Sequence, residues 1–389
     1  MFRRFLPLEG DASAEPLVLE PIRRGIGGEV GPAQKMASPS GSVKNRAGKP
    51  PTHGPAGTLP PGGGVRGILY SMSLPELFLQ RLSRIVPPER YEGCVRAFHE
   101  PPVVGARVNT LLAEREKVLC ALREAGFVLH PVAWYPDAFW IPSEQRETLL
   151  ASEWVQHALV YVQNLSSMIP PLVLAPQPGE EVLDLCAAPG GKTLQMAAMM
   201  RGEGSLVAVE SVRGRFFKMR ENLQRHGANF VHTVQAEGEW VWKRWQGRFD
   251  AVLLDAPCSS EGRFRTDDPA SFRYWSPQKI ADMIRKQKAL MYSAIQCLKP
   301  GGRLVYCTCT FAPEENEGII AHALKKFGEA IEIAPLPLEV EGMAPALSEW
   351  EGRTYPVSVR HARRILPSAQ MEGFFVCLIH KREDADDTP

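Results

Sequence analysis

An α/β fold with an open, mainly parallel sheet covered by helices on both faces is what the sequence predicts for residues 151–381. Three observations carry this. Apolar, strand-length runs around Val182, Leu206, Val231, Val252 and Leu304 alternate with helix-length segments, the pattern that gives parallel sheets buried on both faces. The stretch Val182-Leu183-Asp184-Leu185-Cys186-Ala187-Ala188-Pro189-Gly190-Gly191-Lys192-Thr193 passes from strand through a small-residue turn into a helix start. Finally, Cys258 follows Asp255-Ala256-Pro257 and Cys309 follows Leu304-Val305-Tyr306-Cys307-Thr308, each ending a buried-looking run and each followed by polar turn residues, Ser259-Ser260 and Thr310. Open α/β sheets place their ligand crevice at strand carboxyl ends, so both thiols are expected to face one substrate.

Taken in chain order, residues 1–71 hold 13 Gly and 10 Pro, and nine Lys/Arg against five Asp/Glu. Such a segment cannot bury a core and is expected to be a disordered extension. A chain start at Met72, a flexible RNA-binding arm and a targeting extension are the readings of it, in that order. Residues 72–150 predict a small α+β module. Helices are expected over Leu74 to Ile85 and Tyr91 to Phe98, and strands over Val103 to Asn109 and Phe127 to Pro131 flank a helix at Ala113 to Ala125. After the alternating region, Phe374 to His380 reads as a late strand, an antiparallel edge hairpin, and residues 382–389 as a tail. No internal repeat is visible.

The turn at Cys186, Ala187, Ala188, Pro189, Gly190, Gly191 and Lys192 is the expected cofactor loop. Small residues let backbone approach a ligand, and the helix that follows points its free N–H groups at it. Gly191-Lys192-Thr193 also completes the end of a phosphate-binding P-loop. Against that reading, Cys186 stands where the first glycine belongs and Pro189 removes an amide donor. One strand later Ser205-Leu206-Val207-Ala208-Val209-Glu210 ends in a carboxylate, where nucleoside sites place their ribose-hydroxyl acceptor; a merely solvated acid is the alternative.

Composition narrows the setting. The net charge is +1 over 389 residues, so affinity for RNA would need local basic patches. Eight cysteines form no C-x-x-C pair, which argues against a disulfide framework or a zinc ribbon and for reduced thiols in the cytoplasm. No apolar run has the length of a membrane span, and no signal-peptide core opens the chain. No metal and no membrane partner are expected.

Together the three motifs resemble the Sun-type (NOL/NOP/Sun) family of RNA (cytosine-5) methyltransferases, and most of all its bacterial ribosomal small-subunit branch. Cys186 to Lys192 is similar to the family's first motif, Asp255-Ala256-Pro257-Cys258-Ser259 to its fourth, and Tyr306-Cys307-Thr308-Cys309-Thr310 with Glu314-Glu315-Asn316-Glu317 to its sixth. Arg107-Val108-Asn109-Thr110, Tyr135 to Trp140, Tyr161 to Met168, and Asp267-Asp268-Pro269 with Trp275-Ser276 extend the likeness over residues 72 to 381.

The resemblance implies a Rossmann-like sheet that binds S-adenosylmethionine, with an antiparallel edge strand and an RNA-facing N-terminal module. Methylating carbon 5 of cytosine needs a thiolate to add first at carbon 6, which makes the ring an enamine. The residues alone leave Cys258 and Cys309 both open for that role. The resemblance assigns it to Cys309, gives Cys258 the removal of the carbon-5 proton, and sets Asp255 against nitrogen 3 and in the cofactor site, with Lys192 assisting. Glu237 stands where the family has an aspartate at the adenine end of the cofactor. Ribosomal RNA is the expected substrate and transfer RNA the alternative, since no further RNA-binding domain follows Lys381; a monomer is expected.

RNA contacts are sought in Arg213, Arg215, Lys218 and Arg220, in Arg263, Arg265 and Arg273, and in Arg360, Arg363 and Arg364. The loop after Cys258 stands out because Phe264, Phe272, Tyr274 and Trp275 offer rings to stack on splayed bases. Two other classes stay in view, a nucleotide-phosphate enzyme using Gly191-Lys192-Thr193 and a non-catalytic RNA-binding factor.

Overall fold

A computed structural model describes residues 73–383. The extension expected over 1–71, and the part of the expected tail from 384 to 389, lie outside them. α1 (Glu76–Ile85) carries Phe78, Leu82 and Ile85 on one buried stripe. α2 (Pro88–Ala97) opens on Pro88, whose fixed φ suits a first helical turn. A four-stranded antiparallel sheet follows, built from β1 (Val104–Val108), β2 (His130–Pro131), β3 (Ala138–Ile141) and β4 (Val160–Val162) in the order β2-β3-β1-β4. α3 (Arg115–Glu124) buries Val118, Leu119 and Leu122 with Phe127, Phe139 and Ile141 of this layer. α4 (Arg146–Ala151) and α5 (Glu153–Gln156) lead into β4, which pairs with β1. The layer therefore runs to Val162, past residue 150.

α6 (Leu165–Leu174) starts at Asn164, whose side chain accepts the Ser166 N–H. Strand and helix then alternate as β5 (Glu181–Asp184), α7 (Gly191–Met199), β6 (Ser205–Glu210), α8 (Arg213–Arg225), β7 (His232–Gln235), α9 (Trp242–Trp245), β8 (Phe249–Asp255), α10 (Pro277–Cys297), β9 (Leu298–Thr308) and α11 (Glu317–Phe327). α10 is the longest helix described; Ser276 caps it by accepting the Lys279 N–H, and Pro277 fills its first turn. β7-β6-β5-β8-β9 are parallel neighbours. The chain moves outward from β5 to β6 and β7, then crosses back to β8 and β9, so the strand order reverses between β5 and β8. At such a switch the carboxyl ends open a crevice.

Beyond β9 the sheet turns antiparallel. β10 (Ile331–Ala334), β11 (Met343–Pro345), a small hairpin of β12 (Glu349–Trp350) and β13 (Arg353–Thr354), β14 (Arg363–Ile365) and β15 (Phe374–Lys381) are the remaining described strands. β15 lies against β9 on one side and pairs with β14 and β10 on the other, and β11 pairs with β14. The expected antiparallel edge is thus present and is four strands wide, with β15 buried inside it. Its other members span three or four residues, too few for a period-two pattern to show.

Alternation along the strands divides the core between the two faces. Leu183, Val252, Leu254, Leu304 and Tyr306 meet α1, α10 and α11 on one side, whereas Val182, Leu206, Leu253 and Val305 meet α6, α7 and α8 on the other. Successive strand residues point to opposite faces, so both layers of helices are held by the same few strands.

Candidate active site

Cys258 follows the end of β8 and Cys309 the end of β9, and their Sγ atoms are 3.4 Å apart. Both are half-buried. The two loops that carry them are sewn together by buried polar groups. Ser259 Oγ and Thr310 Oγ1 lie 2.7 Å apart. Glu315 accepts from the Ser259 N–H (3.0 Å), from the Ser259 hydroxyl and from Gln287 Nε2 (2.8 Å). Thr308 Oγ1 donates to Asn316 Oδ1 (2.6 Å), whose amide donates to the Thr310 carbonyl (2.9 Å). Glu261 accepts from Thr310 Oγ1, the Phe311 N–H and Trp275 Nε1. Glu315 and Asn316 stood in a quoted motif without a role, and Glu261 was missed. The partners of Glu315 and Glu261 lie 14 to 56 residues away, so only the folded chain shows what these two acids hold together.

Lys192 and Asp255 also meet at this point. Lys192 Nζ donates to Asp255 Oδ2 and to Ser167 Oγ, both at 2.7 Å, while the Cys307 thiol reaches Asp255 Oδ1 at 3.5 Å. Burial alone would lower the lysine, but Asp255 and the neighbouring thiols outweigh it and hold the ammonium charged. The two central thiols differ in the same terms. Cys309 is shifted down, first by the hydrogen bond from Cys258; burial and Asp255 oppose this, and Arg263 and Ser260 add to it. Cys258 is shifted up, by that same bond to Cys309, then by burial and by Glu315. The two thiols thus sit in unequal surroundings, with Arg263 and Ser260 favouring charge on Cys309 and Glu315 opposing it on Cys258.

These groups open into a cavity of about 760 Å³ bounded by the ends of β5, β6, β8 and β9. Cys186, Ala187, Ala188, Pro189, Gly191 and Lys192 line it. Gly190 does not; it supplies the left-handed turn, φ 104°, at the start of α7. Arg215 donates to the Ala188 carbonyl, Asn222 to that of Pro189 and the buried Arg107 to that of Gly191, so the loop is held by its carbonyls from outside. Glu210 lines the cavity with its carboxylate 3.3 Å from Arg215 and accepting the Val212 N–H.

Asp184 lies at the edge of this space, and burial pushes it up to about 7. Thr193 donates to its Oδ2, and its buried Oδ1 has no partner. The sequence reading assigned Asp184 no role. Glu237 departs from expectation. It is exposed, and the next turn, Gly238–Trp240, brings Gly238 and Glu239 to the cavity in its place.

The RNA-facing expectation for the loop after Cys258 is corrected in part. Phe264 and Phe272 are buried, packed with Phe78 and Phe98 of α1 and the segment after α2. The Trp275 ring abuts Phe78 edge-on and its N–H is bonded to Glu261. Tyr274 alone of the four is well exposed, at 79%. Arg364 is buried against Glu317, whereas Arg213 and Arg220 on α8 flank the exposed ring of Phe217. Among the described residues, no group of three or more His, Cys, Asp or Glu side chains could hold a metal ion, and no helix is long and apolar enough to cross a membrane.

A doubly wound sheet, parallel as far as β9 and closed by the antiparallel β15, with its crevice at the switch point, has the architecture of α/β methyltransferases. Residues 171–380 match the family described as 16S rRNA methyltransferase RsmB/F, and residues 74–165 match the N-terminal domain of 16S rRNA methyltransferase RsmF. The chain belongs to the RsmB/F family. It is 38% identical over 315 residues to the ribosomal RNA small subunit methyltransferase F of Vibrio vulnificus, a match covering 79% of this chain and 64% of that protein. It is also 39% identical over 305 residues to the tRNA (cytosine(49)-C(5))-methyltransferase of Pyrococcus abyssi, covering 78% of this chain and 95% of that one. Among solved structures, a methyltransferase homolog protein from Pyrococcus horikoshii superposes with a TM-score of 0.67 at 31% identity, over 79% of this chain and 100% of the other. The chain thus spans just under two thirds of the ribosomal relative's length.

Proposed function

We propose that this protein methylates carbon 5 of cytosine in RNA, with S-adenosylmethionine as donor. One observation carries the reading, the Sγ–Sγ separation of 3.4 Å between Cys258 and Cys309. Carbon 5 is too weak a nucleophile to be methylated unless a thiolate first adds at carbon 6, and a second group must then take the carbon-5 proton. Two thiols within contact, sharing one hydrogen bond so that one can lose its proton while the other keeps its own, meet both needs.

The cavity fits the donor. Its volume is in the range of cofactor sites, and the unpartnered Asp184 Oδ1 is the kind of buried acceptor that a bound molecule's N–H or O–H would satisfy. The Cys186–Lys192 loop and Asp255 would hold it, with Glu210 accepting the ribose hydroxyls; when bound, it supplies an electrophilic methyl group. Cys309 adds to carbon 6, and the negative charge that develops toward nitrogen 3 meets Asp255, whose shareable proton is that of the Lys192 ammonium. Once Cys309 has become a thioether it carries no charge, so the strongest influence raising Cys258 disappears. Cys258 can then lose its proton to solvent, and its thiolate takes the carbon-5 proton as Cys309 leaves carbon 6 as a thiolate, which restores the ring and releases RNA.

Thiols used in this way must stay reduced, which supports a cytoplasmic setting. Small-subunit ribosomal RNA is the proposed substrate, following the name of the Vibrio vulnificus relative. Transfer RNA is the second reading, supported by the 95% coverage of the archaeal relative. Bisulfite mapping of both RNA classes with and without the gene separates them. In denaturing gels Cys309→Ala is expected to give no protein–RNA adduct and no methylation, and Cys258→Ala to accumulate adduct on methylated RNA. The reverse pattern would put the nucleophile at Cys258.

A further inference from the structure

We propose that Arg263 is a positioning residue for the nucleophile, its guanidinium tethered by Glu372 within the same cavity and placed there as the counter-charge to the Cys309 sulfur before RNA arrives. The inference rests on Cys309 as the nucleophile. Arg263 ends the turn Glu261–Arg263 that follows the Cys258 loop. Its neighbour Gly262 donates its N–H to the Cys309 carbonyl at 2.9 Å, and Gly373 in turn donates to the Gly262 carbonyl at 3.2 Å. The backbone beside Arg263 is therefore fixed to the nucleophile on one side and to the segment carrying Glu372 on the other. A Cβ at Gly262 would strike the backbone of Gly373, and one at Gly373 would strike Phe311, so neither strand of this junction can shift freely. The Glu372 carbonyl accepts from Ser166 Oγ at 2.7 Å, which anchors the far side.

Charge bookkeeping around the thiol singles out this arginine. Cys258 faces Cys309 from the end of β8, Cys307 and Asp255 from the strands beneath, Lys192 from α7, and Glu372 from the segment before β15. Lys192 is committed to Asp255 and Ser167, each at 2.7 Å. The Arg263 Nε stands 3.9 Å from Glu372 Oε2, a much looser pairing, so more of its charge reaches the thiols. The same charge is among the influences that lower Cys309, after the bond from Cys258. Because the Arg263 side chain is 64% exposed, water screens part of the effect and a modest shift is expected.

Iodoacetamide alkylation of the RNA-free protein, followed against pH with peptide mapping to assign the modified cysteine, tests this. Alkylation follows the thiolate. In Arg263→Gln the midpoint for Cys309 should rise by about half a pH unit, roughly threefold fewer reactive thiols below the midpoint. Arg263→Lys should restore most of the shift, and Glu372→Gln should move it the other way by removing the competing anion. An unmoved midpoint in a folded Arg263→Gln protein overturns the proposal, as it would if the arginine served only an RNA phosphate. An upward shift that lysine fails to reverse would mark lost packing and overturns it too. Should Arg263→Gln not fold, the direction seen in Glu372→Gln decides. Neither RNA nor methyl donor enters the assay, so its failure and that of the methylation reading are told apart.

Discussion

Burial sets the behaviour of single carboxyl groups in this protein, and Glu315 shows it most clearly. It is fully buried and takes three hydrogen bonds that favour its charged form, yet desolvation dominates and pushes it up to about 7. An unfolded glutamate titrates near 4.3. The folded pKa is therefore the higher one, and the stability linked to this group is complete below about pH 4 and lost as pH rises through about 7. His226, shifted down by burial, has the opposite sense, its contribution being lost as pH falls through the histidine range. Comparing wild type with Glu315→Gln isolates the carboxyl. Between pH 5 and pH 8 the wild type should lose on the order of 2 kcal/mol relative to the variant, measured by urea unfolding at each pH. A constant difference would mean that the three donors prevail and Glu315 is already ionised at pH 5. In sequence this residue was visible only as part of a motif, because its partners Ser259 and Gln287 lie 56 and 28 residues away.

At the scale of elements, three chain segments meet where Gly262, Phe311 and Gly373 touch. Gly262→Ala has no room for its methyl group against the Gly373 backbone; a rigid main chain cannot yield as a side-chain tip can. The cost should lie at the top of the usual overpacking range, about 3 kcal/mol, and the Gly262 to Cys309 bond would be strained with it. Thermal melting checks this, and a loss below about 1 kcal/mol would show that the junction is softer than its contacts suggest. Elements of this kind were the least legible in the sequence. The parallel strands announced themselves through runs such as Leu206 to Val209 and Val252 to Leu254, as did the helix start at Gly191. Phe264 and Phe272 looked like a stacking face because arginines flank them, but α1 supplies Phe78 to pack on Phe264, and Phe98 after α2 extends the same buried cluster. No local pattern reveals which distant helix will cover a loop. Glu237 was misplaced for a related reason, since a single turn after β7 decides which of two acids, two residues apart, faces inward.

Across the whole molecule, Arg107 joins the N-terminal layer to the loop of the large sheet. It extends from β1, donates to Gln163 Oε1 at 3.1 Å and to the Gly191 carbonyl at 3.2 Å, and lies over the Tyr161 ring. Burial lowers its pKa, and its second terminal nitrogen has no partner. Arg107→Met would orphan two acceptors, a loss of about 2 kcal/mol, but would also relieve a poorly solvated cation, and these nearly offset. Stability should change by no more than a few degrees of melting temperature, while affinity for S-adenosylmethionine falls roughly tenfold, about 1.4 kcal/mol, as the loop loosens. Calorimetry giving wild-type affinity would show that the two layers are not coupled through this residue.

The place of β15 in the sheet has a consequence for how the protein is made. Of the described strands this one emerges last from the ribosome, yet it fills an interior position between β9 and the β14 and β10 strands. Until it arrives, β9 presents an unpaired edge, and the Gly373 clasp on the Cys309 segment is missing. A nascent chain that already carries both thiols therefore still lacks the enclosure that positions them, and its open edge invites pairing with a neighbouring chain. Synthesis from the N-terminus thus leaves the reactive pair to be enclosed only when β15 docks, in the same event that covers the edge of β9.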